Sequence, residues 1–86
     1  MNNMVMKKLK ITAIEGYLDE EDKKFIGELF NLGKIGFLTN ISTFRTKSGR
    51  NYLFAYRHKD TFYARIEKSK KEGYSDRGVT FEIRAA

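Results

Sequence analysis

The chain has 86 residues, with 17 Lys and Arg against 11 Asp and Glu, a formal charge of +6, and no Cys, Pro or Trp. The lack of Cys excludes a disulfide scaffold, thiolate zinc sites and a cysteine nucleophile, and a single His leaves little for a metal site or imidazole chemistry. Hydrophobic residues are 41% and charged residues 33% of the chain, a globular balance in a length that suits one domain, residues 1–86.

No apolar run approaches the ~20 residues of a membrane span. No apolar stretch follows the N-terminal lysines, so no signal peptide is expected and the expected location is cytoplasmic. A domain this short buries only ~60–65% of its unfolded surface. Most large apolar residues are therefore needed in the core, and self-association is a natural supplement.

Met1 to Met4 is expected to be a loose end. From Lys7 to Ile14, Leu9, Ile11 and Ala13 alternate with Lys8, Lys10 and Thr12. That period of two predicts a strand with one buried face. Asp19 to Leu32 predicts a helix. Asp19 serves as N-cap, and Glu20, Glu21 and Asp22 complement the positive end of the helix dipole. Phe25, Ile26, Leu29 and Phe30 fall on one stripe, and Gly33 follows where a left-handed cap favours glycine.

Strands are expected over Phe37 to Thr46, Asn51 to Arg57, Phe62 to Glu67 and Val79 to Arg84. Ser48-Gly49 and Lys59-Asp60 are the hairpin turns, and the polar stretch Lys68 to Gly78 reads as a loop. The order β-α-β-β-β-β predicts an α+β domain, a single helix packed on a mainly antiparallel sheet of four to five strands.

Two-residue turns define a register. Arg57 then faces Phe62, Ala55 faces Ala64, Leu53 faces Ile66 and Phe44 faces Leu53. One face carries Leu38, Phe44, Leu53, Phe62 and Ile66, with Ser42, Ala55 and Ala64 forming a trough for the helix. The opposite face then carries Tyr52, Phe54, Tyr56 and His58, flanked by Tyr63, Arg65, Ile41, Thr43 and Arg45. With one helix, nothing covers these rings, and an exposed apolar patch of that size marks a contact surface.

Aromatic rings interleaved with Arg on an open sheet suit unpaired bases. Each base presents a π-face for stacking, and Arg meets phosphate or stacks as a planar cation. Lys68, Lys70, Lys71 and Arg77 lie on the polar loop, where they could fold onto a phosphate backbone, and Lys47 and Arg50 add a basic tip at the Ser48-Gly49 turn. A sequence pI of 9.7 fits a polyanionic partner. The leading expectation is a small non-enzymatic nucleic-acid-binding protein that favours single strands, with no cofactor and no metal. The binding residues are Arg45, Tyr52, Phe54, Tyr56, Tyr63, Arg65, Lys68, Lys70, Lys71 and Arg77. The aromatic face could instead pack against a second copy as a homodimer.

No phosphate-binding glycine loop, nucleophile elbow or metal-ligand spacing is present. Asp19, Glu20, Glu21 and Asp22 resemble a cation site by composition, but a helix N-terminus accounts for them. Small size and a Lys-, Asn- and Ile-rich composition also suit a phage or mobile-element accessory protein that inhibits a host or defence protein or nucleoprotein, such as a CRISPR effector. The stretch Arg45 to Lys71 loosely resembles the C-terminal half of small ribosome-dependent RNase toxins of the RelE type. The resemblance implies a basic sheet that cuts RNA, with Arg45, Arg50, Tyr52, Arg57, His58 and Tyr74 in the working positions. That family carries a helical hairpin after its first strand, where this chain has room for one helix.

Overall fold

A computed structural model describes residues 8–35, 41–73 and 75–86. The helix α1 (Glu20–Asn31) follows strand β1 (Leu9–Glu15). Strands β2 (Ser42–Arg45), β3 (Asn51–His58) and β4 (Thr61–Glu67) come next. A single 3₁₀ turn (Lys70–Glu72) then leads into β5 (Asp76–Ala85). All pairings are antiparallel, and the five strands lie in the order β1-β5-β4-β3-β2. The expected α+β architecture is the one observed.

The helix begins where its acids predict. The Asp19 side chain accepts from the Asp22 N–H, and the Asp22 side chain accepts from the Asp19 N–H, a reciprocal cap. Gly33 has φ +72, the left-handed turn that ends the helix. Ile26 and Leu29 are buried, and Phe25 and Phe30 pack half-buried against the same core.

Both hairpins depart from the expected register. The β2–β3 loop holds three residues, not two. Gly49 N–H donates to the Thr46 carbonyl (3.0 Å) and Thr46 N–H to the Arg50 carbonyl (2.9 Å). Gly49 sits at φ +93, the left-handed position that closes a three-residue turn. Phe44 therefore faces Tyr52, not Leu53. The β3–β4 turn at Lys59-Asp60 is the expected two-residue loop, and Arg57 faces Phe62 as expected. A bulge then intervenes between Phe54 and Tyr56. Beyond it Phe54 faces Ala64 and Tyr52 faces Ile66.

The slip and the bulge turn over only the first half of β3. Tyr52 and Phe54 are fully buried beneath the helix, while Leu53 pairs with Arg65 on the opposite face. Two aromatic rings bury more apolar area than the Leu53 and Ala55 they replace, and that difference favours the observed register. Phe54 meets Phe44 and Phe81 edge-on at 5.8 and 6.4 Å, Phe62 stacks on Phe81 at 5.5 Å, and Phe25 lies 4.8 Å from Tyr52. Ala64, between Phe54 and Val79 on the neighbouring strands, keeps the small residue that the trough requires. The expected strand Phe37 to Thr46 is seen as Ser42–Arg45; Leu38 lies outside the described residues. The expected loop Lys68 to Gly78 is shorter, because β5 starts at Asp76.

Candidate functional site

The helix covers one face of the sheet. Among the described residues nothing covers the other. On that face Tyr56 and Tyr63 stand on adjacent strands with ring planes 8° apart and centroids 5.6 Å apart. Tyr56 is 52% exposed. Tyr63 reaches across β5 so that its hydroxyl lies over Gly78, where a Cβ would collide with it. Arg65 is exposed and grips Asp76 with Nε and Nη2, which fixes its guanidinium and holds the Asp76 carboxyl below its ordinary range. Arg45 and His58 are exposed, and Arg45 makes no ion pair among the described residues. From Asn51, opposite Arg45, to His58 is seven strand steps, or ~23 Å. Along this track lie Arg45, Arg65, the Tyr56–Tyr63 pair and His58.

At the loop end beneath the helix, a second group of basic and aromatic residues points inward. Arg50 is almost wholly buried. Its Nη1 donates to Asp22 (2.6 Å) and Asp19 (3.1 Å), its Nε and Nη2 to Glu72 (3.2 and 3.1 Å), and Nη2 lies 3.1 Å from Glu21. Asp22, fully buried, also accepts from the Tyr52 hydroxyl (2.7 Å) and from Arg77 Nη2 (2.6 Å). Lys68 Nζ reaches Asp19 at 3.3 Å. Helix start, β3, the 3₁₀ turn and β5 are thereby joined through one set of charges.

The pKa shifts follow from this packing. Burial disfavours charge on Asp19, but the Asp22 N–H, Lys68 and Arg50 outweigh it and hold the carboxyl at about 2, below its ordinary 3.8. The Arg50 hydrogen bonds hold Glu72 below its ordinary value as well. Burial, aided by the neighbouring Asp22, pushes the Tyr52 hydroxyl up. Burial disfavours the Arg50 charge, yet its bonds to Glu72, Tyr52 and Asp22 raise its pKa further.

The ten residues expected to bind therefore divide. Tyr56, Tyr63, Arg45 and Arg65 share the uncovered face. Tyr52 and Phe54, expected there, are core residues, a correction that follows from the three-residue turn and the bulge. Arg77 and Lys68, expected on a mobile loop, are tied to Asp22 and Asp19. Lys71 is exposed on the 3₁₀ turn, which also carries Lys70. Arg50, expected as a basic tip, is instead the hub of the buried charges. Of the residues the toxin resemblance singles out, Arg50 and Tyr52 are buried at one end of β3, Arg57 lies over the Phe62 ring at the other end, and His58 is on the opposite face. Tyr74 lies outside the described residues. Among the described residues one helix, not a helical hairpin, follows β1.

The buried network had a partial signature in the sequence. Asp19-x-x-Asp22 is a reciprocal capping pattern. Nothing local marks Arg50 as its partner, which lies 28 residues further along the chain from Asp22. No helix among the described residues is long and apolar enough to cross a membrane, and no group of three or more His, Cys, Asp or Glu among them is arranged to hold a metal ion. Compared with known proteins, the chain has no significant match to a family model, a curated protein or a solved structure.

Proposed function

We propose that this chain is a non-enzymatic nucleic-acid-binding protein that uses the uncovered sheet face and prefers single strands. The stacked Tyr56–Tyr63 pair carries this reading. It offers an exposed π-surface on a rigid sheet, in line with Arg45 and Arg65, in a chain of charge +6. An unpaired base stacks on Tyr56, while phosphates on either side meet Arg45 and the exposed guanidinium of Arg65. The ~23 Å track suits a footprint at the short end of the ~4–16 nucleotides typical of open stacking surfaces. Duplex is disfavoured because its base faces are already stacked.

Fluorescence anisotropy with labelled single-stranded DNA, RNA and duplex at two salt concentrations tests the proposal. Tyr56→Ala is expected to weaken single-strand binding ~5- to 150-fold, matching a stacking contribution of ~1–3 kcal/mol. The slope of log affinity against log salt should not change. Arg45→Ala should lower that slope by ~0.7. No binding at low salt would overturn the reading. In that event the same face, with Ile41 70% exposed beside it, is better suited to a protein partner, as an inhibitor would require.

A further inference from the structure

We propose that two copies of this chain pair edge to edge through β1, joining their sheets into one of ten strands. Among the described residues, strand β1 is a sheet edge. Ala86 N–H donates to the Lys8 carbonyl, so the hydrogen bonds to β5 come from Lys8, Lys10 and Thr12. The alternation of an antiparallel ladder then turns the N–H and C=O groups of Leu9, Ile11 and Ala13 outward. These are the residues whose side chains pack toward the helix. Between Leu9 and Ile11 on one side and α1 on the other runs a groove of about 570 Å³, lined also by Lys24, Gly27 and Glu28 among others.

The edge is self-complementary in one register. The outward groups are on odd-numbered residues, so a two-fold pairing must match odd with odd. Centred on Ile11, it sets Leu9 against the partner's Ala13, large against small, and Lys10 against the partner's Thr12. Shifted one way, it sets Lys10 against the partner's Lys10, and like charges directly opposite are unfavourable. Shifted the other way, it sets Leu9 against the partner's Glu15 and runs into the β1 bulge between Ala13 and Glu15.

The helix flank agrees with the same axis. Gly27 packs against Ile11, where a Cβ would come within 3.6 Å of the Ile11 methyl. A two-fold axis at Ile11 therefore runs beside the part of α1 that packs on Ile11. Lys24 and Glu28 lie on either side of Gly27 and form no ion pair among the described residues. The two-fold reverses the helix direction, which brings each Lys24 toward the partner's Glu28. This complementarity identifies the occupant of the groove edge as a second copy. An axis perpendicular to the sheet leaves both uncovered faces on the same side. The inference does not depend on what those faces bind.

Sedimentation velocity across a concentration series tests it, with Ile11→Pro and Lys24→Glu as variants. The Ile11 N–H serves no bond to β5, so proline there spares the β1–β5 ladder and removes the donor offered to the partner, together with the Ile11 side chain that packs against the core. Dimer association should weaken by more than tenfold, with circular dichroism confirming the fold. Lys24→Glu, at an exposed site, should weaken it ~3- to 10-fold, and adding Glu28→Lys should restore it. Tyr56→Ala should leave it unchanged. A monomer at every concentration overturns the proposal. So does a dimer insensitive to Lys24→Glu, or one lost with Tyr56→Ala.

Discussion

Two pairs of residues in this chain are nearly the same in sequence and opposite in fate. Arg50 and Tyr52 lie two apart at the start of β3, and Tyr63 and Arg65 lie two apart on β4. The first pair is buried under the helix start, with Arg50 shared among Asp19, Glu21, Asp22 and Glu72. The second lies on the uncovered face, where Arg65 meets Asp76 and Tyr63 stacks on Tyr56. Residue type does not separate them. The helix N-terminus supplies enough negative charge to offset burying a guanidinium, and the uncovered face supplies water instead.

The comparison is sharpest at the two arginines. Arg50→Ala leaves the buried Asp22 carboxylate with fewer donors, so it is expected to cost ~3–5 kcal/mol, near the whole stability of so small a domain. Arg65→Ala, at an exposed pair, should cost no more than ~1 kcal/mol. Urea denaturation of both variants measures the difference, and equal costs would break the contrast. The aromatic rings give a matching pair of tests. Phe54→Ala should cost ~3–5 kcal/mol, whereas Tyr56→Ala should stay within about 0.5 kcal/mol in thermal melts. A Tyr56 variant that unfolds would place that ring in a packed seam.

A smaller effect is expected in acid. Asp19 and Glu72 have folded pKa values below their ordinary ones, so the unfolded chain binds more protons as pH falls. Their stabilisation is complete above the unfolded values, 3.8 for Asp19 and 4.5 for Glu72. For Asp19 it is lost as pH falls toward about 2. The melting temperature should therefore drop below pH ~4.5. In Asp19→Asn combined with Glu72→Gln, the protein should be less stable at neutral pH and lose less between pH 5 and 2. An unchanged acid profile would show that the charges at this end contribute nothing to the pH dependence.

Periodicity and capping were enough to locate the elements. The alternation of Leu9, Ile11 and Ala13, the acids before Phe25, and the glycine at position 33 each carry their own local physics. Strand, helix and helix end fall within a residue or two of where these signals put them. The Lys59-Asp60 turn was legible for the same reason. The face of β3 was not. A two-residue and a three-residue turn around Ser48-Gly49 differ by one residue, and nothing nearby chooses between them. The bulge at Ala55 is equally silent, because it reconciles β3 with β4 across a register that β2 has already shifted.

The sequence by itself therefore determined the α+β order, the single helix and the uncovered face with Tyr56, Tyr63, Arg45 and Arg65 on it. Only the tertiary structure decided that Tyr52 and Phe54 leave that face and that Arg50, Lys68 and Arg77 turn inward to acids. Local signals depend on neighbours a few residues apart, and helix and strand periods record them directly. The direction of half a strand depends on which packing buries more ring area. The burial of Arg50 depends on carboxylates 22 to 31 residues away along the chain, which only folding brings together.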